Sequence, residues 1–156
     1  MAEVATGPLA ALLDRRAIRL GETAADREDA IRRSGAVLVE TGAVDPAYVD
    51  TMLARERSVS TYVGEGVAIP HGTLAGKDAV RRDALAVLRF PAGVDWGGEQ
   101  VVVCVAIAAR GDGHVALLAQ LAEILLDPER ARALREATEA DEVLRLLKPV
   151  DEETDS

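Results

Sequence analysis

The sequence predicts a single-domain α/β fold in which a central mixed β-sheet is flanked by helices on both faces. Three observations carry that expectation. Short strand-like runs alternate with segments of helical periodicity along almost the whole chain, the pattern of layered α/β domains. The run at residues 101–109 is apolar at every position, as a strand covered on both faces must be. The chain has 156 residues of which 49% are hydrophobic, enough for one core of ordinary size.

Each element follows from local signals. Ala17-Ile18-Arg19-Leu20 reads as a short first strand closed by Gly21. Asp26 stands where a helix cap belongs, with Asp29 three residues on, and Ala30, Ile31, Ser34, Gly35 and Leu38 share one face of a helix that stops at Gly42. Asp45-Pro46 puts a second cap ahead of a first-turn proline, and Val49, Met52, Leu53 and Glu56 recur at i, i+3, i+4 and i+7. Arg55 and Arg57 therefore fall in the last turn of that helix. A glycine-flanked apolar strand over residues 62–69 runs into Pro70-His71-Gly72-Thr73. Residues 84–90 and 101–109 make two further strands, separated by a Pro91-Ala92-Gly93 turn and by Gly97-Gly98. Gly111-Asp112-Gly113 opens a helix with Leu117, Leu118, Leu121, Ala122 and Leu125 on its inner face. Asp127-Pro128 starts the next, and Thr138-Glu139-Ala140-Asp141 gives a capping-box start to the last. Residues 1–14 form an N-terminal extension, expected to be partly disordered, and residues 149–156 an acidic tail.

Charge and residue usage remove several classes of function. With 18 Lys+Arg against 27 Asp+Glu, the net charge of −9 argues against binding a phosphate backbone, which needs cations to displace condensed counterions. The four aromatics, Tyr48, Tyr62, Phe90 and Trp96, offer no base-stacking platform, so no nucleic-acid partner is expected. A single cysteine, Cys104, permits neither an intrachain disulfide nor a multi-cysteine zinc site, and its place in an apolar strand marks it as a small buried hydrophobe. The start of the chain has no basic, then apolar, secretory pattern. The longest apolar run, nine residues, is far short of the roughly 20 that span a bilayer. A cytoplasmic protein without direct membrane insertion is the reading that remains, and no metal or cofactor is expected.

No glycine-rich nucleotide loop, zinc-binding histidine helix or serine nucleophile elbow is present. The chemistry falls to His71 and His114. An unselected histidine is most often an ordinary loop residue, but these two occupy suggestive positions. His71 ends a strand between Pro70 and Gly72, small neighbours that leave its ring open, and His114 follows Gly111-Asp112-Gly113 at a helix start, where unpaired N–H groups favour an anion.

The run Tyr62-Val63-Gly64-Glu65-Gly66-Val67-Ala68-Ile69-Pro70-His71-Gly72-Thr73, preceded by Met52-Leu53-Ala54-Arg55-Glu56-Arg57, resembles the active-site signature of the mannitol/fructose-type enzyme IIA components of the phosphoenolpyruvate-dependent sugar phosphotransferase system. The His-Gly-Thr triplet is most similar to the mannitol branch. Ala106-Ile107-Ala108-Ala109-Arg110 followed by His114 is a second match, and the resemblance covers residues 18–147. It implies that residues 15–148 are an enzyme IIA-type phosphocarrier domain. His71 would take a phosphoryl group from the histidine-containing phosphocarrier protein and pass it to a cysteine of a IIB domain of a membrane sugar permease. His114 would be its pocket partner and Arg55 a third active-site residue. Gly111-Asp112-Gly113 departs from the family pattern, which has asparagine or an acidic residue just before the second histidine.

The chemistry of the residues agrees with the resemblance. A histidine with an ordinary pKa of about 6.5 is mostly neutral near pH 7 and is nucleophilic without a general base. A phosphoryl group on nitrogen calls for donors, which His114, Arg55, the helix start and the Thr73 hydroxyl could supply. Glu65 reads as a turn residue and Trp96 as packing at the sheet edge. Two rivals stand beside transport: a regulatory IIA-like protein whose phosphorylation state is read by partners, and a non-catalytic α/β binding module.

Overall fold

Valine-rich segments in the second half of the chain pair with each other in the interior of the sheet, and the remaining strands lie on either side of them. In the computed structural model, which describes residues 12–110 and 113–147 with the side chains of 74, 75, 77 and 113–115 excepted, strands β1 (Leu13–Arg19), β2 (Tyr62–Gly64), β3 (Val67–Ala68), β4 (Ala84–Trp96) and β5 (Glu99–Ala108) form one sheet in the order β1-β4-β5-β3-β2. The β4–β5 hairpin is antiparallel, β1 lies parallel to β4, and β3 lies parallel to β5. Strand β2 returns antiparallel to β3. The carboxyl ends of β3 and β5 therefore open at the same end of the sheet, which is where open α/β sheets bind ligands.

The helices are α1 (Arg27–Glu40), α2 (Ala47–Ser58), α3 (Gly113–Leu125), α4 (Pro128–Glu136) and α5 (Ala140–Leu146). They cover both faces. Cys104 of β5 faces Ser34 of α1, whereas Arg89, paired with Val103 one position away, donates to the Arg135 carbonyl of α4 at 2.6 Å. Alternate residues thus meet different helices, and every residue from Val103 to Ala108 is buried. Helix α2 packs on α1 through Gly35, where a Cβ would sit 2.7 Å from Val49 Cγ2. An alanine there would force the two helices apart.

Several boundaries differ from expectation for identifiable reasons. Strand β1 begins at Leu13, because its first residues pair with Leu85 of β4 across a register shift. The strand expected over 62–69 is a tight hairpin, turned by Glu65 (φ 55°) and Gly66 (φ 76°), both left-handed as a type I′ turn requires. Pro91-Ala92-Gly93 does not turn the chain. It forms a bulge inside β4, between Arg89 and Val94, where a residue lacking an N–H costs no ladder bond.

The helix caps behave unevenly. Asp26 caps α1 by accepting from Asp29 N at 2.8 Å, and Asp127 caps α4 by accepting from Glu129 N at 3.0 Å. Asp45 does not cap α2: its carboxylate pairs with Arg81 at 2.6 Å, and Pro46 holds the cap position. Helix α5 is capped one residue later than expected, by Glu139, with Glu142 accepting from the Thr138 and Glu139 amides. On α3, Leu117, Leu121 and Leu125 are buried and Leu118 half-buried as expected, but Ala122 faces out and Ile124 faces in. A 3₁₀ segment, Leu74–Ala79, packs on α2. Among the described residues no helix is long and apolar enough to cross a membrane. Residues 1–11 of the expected N-terminal extension, the whole of the expected acidic tail at 149–156, and Gly111, Asp112 and Lys148 lie outside the described residues.

Candidate functional site

The site grows from the ends of β3 and β5. Beyond Ala68 the chain keeps its parallel course beside β5: His71 bridges Ile107, and the Ile107 amide donates to the Pro70 carbonyl at 2.9 Å. On the other side, Ile69 N donates to the Thr61 carbonyl at 3.0 Å. His71 is thus fixed from both flanks by main-chain bonds.

A hydrogen bond to its own segment helps orient the ring. Nδ1 lies 2.8 Å from the Ile69 carbonyl oxygen. A carbonyl can only accept, so Nδ1 carries the proton and the neutral ring holds its lone pair on Nε2. The residue is only 6% exposed, against the open ring expected between small neighbours. The neighbouring Gly72 is itself hemmed in by α2: a Cβ there would lie 2.5 Å from Tyr48 Cε1 and closer still to Thr51 Oγ1. The Tyr48 hydroxyl accepts from Gly72 N and donates to the Ile107 carbonyl, each at 2.8 Å. Burial raises its pKa above the ordinary phenol value, keeping it protonated.

Arg55 reaches the same end of the sheet by another route. It lies in the last turn of α2 and donates through Nη1 to the Val59 carbonyl at 2.6 Å, bracing the loop that leads to Thr61 and so to Ile69. The adjacent Glu56 is 7% exposed and turns inward, where its carboxylate accepts from Thr61 N at 2.9 Å, from the Thr61 hydroxyl, and from Trp96 Nε1 at 2.9 Å. Glu56 therefore fixes the turn from which Arg55 projects. His114 is the second residue of α3, the helix that follows the end of β5, and its side chain lies outside the described residues. The main chains of all three expected site residues thus converge at one end of the sheet, together with the helix start of α3 and its positive dipole end.

The remaining candidates settle simply. Glu65 is the turn residue of the β2–β3 hairpin and pairs with Arg135 at 3.5 Å. Trp96 is buried, and its indole nitrogen is bonded to Glu56. The Thr73 carbonyl accepts from Gly76 N at 2.9 Å. Cys104 is fully buried in mid-strand, and burial pushes its thiol pKa well up, so it holds no reactive thiolate. Among the described residues no three His, Cys, Asp or Glu side chains gather as metal ligands would. Two contributors were missed from sequence: Tyr48, and the inward carboxylate of Glu56. The one available signal was a glutamate on the apolar stripe of α2.

Residues 11–150 match the family described as "Phosphoenolpyruvate-dependent sugar phosphotransferase system, EIIA 2". The chain is 47% identical over 131 residues to the "Multiphosphoryl transfer protein" of Escherichia coli O157:H7, covering 83% of this chain and 35% of that protein, so it spans about a third of that relative's length. It is 39% identical over 141 residues to the "Mannitol-specific phosphotransferase enzyme IIA component" of Halalkalibacterium halodurans, covering 90% of this chain and 97% of that one. In structure it is similar to the IIA chain in a complex of enzyme IIAMTL and phosphorylated enzyme IIBMTL from Escherichia coli, with a TM-score of 0.80, 38% identity, and coverage of 87% of this chain and 98% of that one. The chain belongs to the EIIA 2 family of the phosphoenolpyruvate-dependent sugar phosphotransferase system.

Proposed function

We propose that this EIIA component carries a phosphoryl group on Nε2 of His71, taken from the phosphohistidine of the histidine-containing phosphocarrier protein and passed to a cysteine of a IIB domain for sugar uptake, with mannitol as the sugar. The observation that carries the reading is the hydrogen bond from His71 Nδ1 to the Ile69 carbonyl. It leaves the lone pair on Nε2 before any donor arrives. In the first step the Nε2–P bond forms as the donor's N–P bond breaks, and the donor ring leaves with the electron pair. In the second the cysteine thiolate takes the phosphorus and the Nε2–P bond breaks. His71 keeps its Nδ1 proton throughout, so the carrier needs no general base.

Phosphoryl transfer passes through a loose transition state, and catalysis is positioning plus neutralisation of charge. In this reading Arg55, His114 and the N–H groups at the start of α3 supply donors for the phosphoryl oxygens. The similarity to the IIA chain of a complex between enzyme IIAMTL and phosphorylated enzyme IIBMTL supports a IIB acceptor.

The test is labelling with phosphoenolpyruvate, enzyme I and the phosphocarrier protein. One acid-labile, alkali-stable phosphate is expected, and none on His71→Ala; labelling of that variant at the wild-type level overturns the assignment. Arg55→Ala and His114→Ala should still label, about 10- to 100-fold more slowly, as loss of one charge-assisted donor worth about 1.5–3 kcal/mol implies. Phosphorylated protein is then mixed with IIB domains for several sugars. Rapid transfer to a mannitol-type IIB is the expected result, whereas efficient labelling with no transfer to any IIB favours a regulatory role.

A further inference from the structure

Tyr48 stands outside the reaction as described, yet its side chain reaches from α2 to the end of the sheet and touches both segments that matter there. Its hydroxyl accepts from the amide of Gly72, the residue directly after His71, and donates to the carbonyl of Ile107, the residue that bridges His71 from β5. One oxygen therefore ties the loop carrying His71 to the strand that leads on to α3 and His114. Its own carbonyl is engaged as well, accepting from the Thr51 hydroxyl at 2.7 Å. The ring leaves no room for a side chain at position 72. At 4% exposure the hydroxyl bonds in a setting where water cannot readily replace them.

We propose that Tyr48 is a positioning residue for phosphoryl transfer: its hydroxyl holds His71 in register with the end of β5, so that Nε2 meets the phosphorus in line. The proposal rests on His71 being the phosphoryl acceptor. Without the hydroxyl, the Gly72 amide and the Ile107 carbonyl lose their shared partner, and the distance between the His71 loop and β5 is set with one tie fewer. Misplacement of a reacting group by about 1 Å can cost on the order of 100-fold in rate. A partial loosening is expected to cost about tenfold. Tyr48 touches no reacting atom, so its removal should lower turnover without weakening the encounter with the donor protein.

The experiment compares wild type, Tyr48→Phe and a protein with 4-aminophenylalanine at position 48. The amino group can still donate to the Ile107 carbonyl but is a poor acceptor for the Gly72 amide. Transfer from the phosphocarrier protein is followed by rapid quench, and the His71 ring nitrogens by 15N NMR. Tyr48→Phe should show turnover reduced about tenfold with an unchanged KM for the donor, and an Nδ1 signal broadened or moved from its hydrogen-bonded position. The amino variant should fall between the two, and it carries the test alone if Tyr48→Phe does not fold. Wild-type turnover in the folded variants, or a loss confined to KM, overturns the proposal. If His71→Ala labels normally, the carrier assignment itself has failed; if His71→Ala is inert while Tyr48→Phe runs at the wild-type rate, only the role of Tyr48 has.

Discussion

Glu56 shows how one side chain can serve both stability and the site. Its carboxylate is held by three neutral donors from Thr61 and Trp96, and Thr61 in turn fixes Ile69, whose carbonyl orients His71. Removing the carboxylate strands two buried N–H groups, whereas exchanging one oxygen for an amide does not, since the Thr61 hydroxyl can reverse its role from donor to acceptor. Glu56→Ala should therefore lose about 2–5 kcal/mol of stability and Glu56→Gln about 1 kcal/mol, read from urea unfolding followed by the fluorescence of Trp96, the only tryptophan. Equal losses would mean that the donors find other partners. The place of His71 at the end of a strand was legible in the sequence because Pro70 and Gly72 bracket it. Glu56 was not, because a glutamate at the end of an apolar stripe reads as a solvated residue until Trp96, 40 residues on, is brought against it.

Two helix starts contribute to the acid sensitivity of the fold. Asp29 accepts from the Ala25 amide and pairs with Arg33, which together hold its carboxyl below the ordinary 3.8; Glu142 accepts from the Thr138 and Glu139 amides and sits below the ordinary 4.5. A carboxylate whose pKa is lower in the folded chain binds fewer protons there than in the unfolded chain. Its contribution is complete above the unfolded value and is lost as pH falls through the folded one. Stability should accordingly be flat in these groups above about pH 5 and decline below about pH 4, and Asp29→Asn combined with Glu142→Gln should flatten that decline in urea titrations taken at successive pH values. The caps of α1 and α4 were readable because an aspartate stands directly before each helix and serves only it. The cap of α2 was misread because Asp45 is claimed by Arg81, 36 residues away. The same non-local competition hid the bulge at Pro91 and the break at Glu65-Gly66: the local glycines and prolines announce a bend, but the pairing partner decides whether it is a turn or a bulge.

Across the whole molecule, the layered sheet and its mixed direction followed from hydrophobic patterning, while the strand order did not, since β3 is inserted beside β5 only after β4 and β5 exist to receive it. That insertion bears on the history of each chain. His71 is synthesised 36 residues ahead of Ile107, about two to seven seconds at ordinary elongation rates, and a two-residue strand has no means of holding its own shape in that interval. On the proposed reading, the newborn chain displays its entire histidine signature yet has no positioned nucleophile until β5 is in place. A fragment ending at Gly98 should therefore take up no phosphate although it contains every residue from Met52 to Thr73, and pulse-labelled chains arrested on the ribosome should become phosphorylatable only after residue 108 has emerged. On that reading, competence to carry phosphate is a late property of biosynthesis.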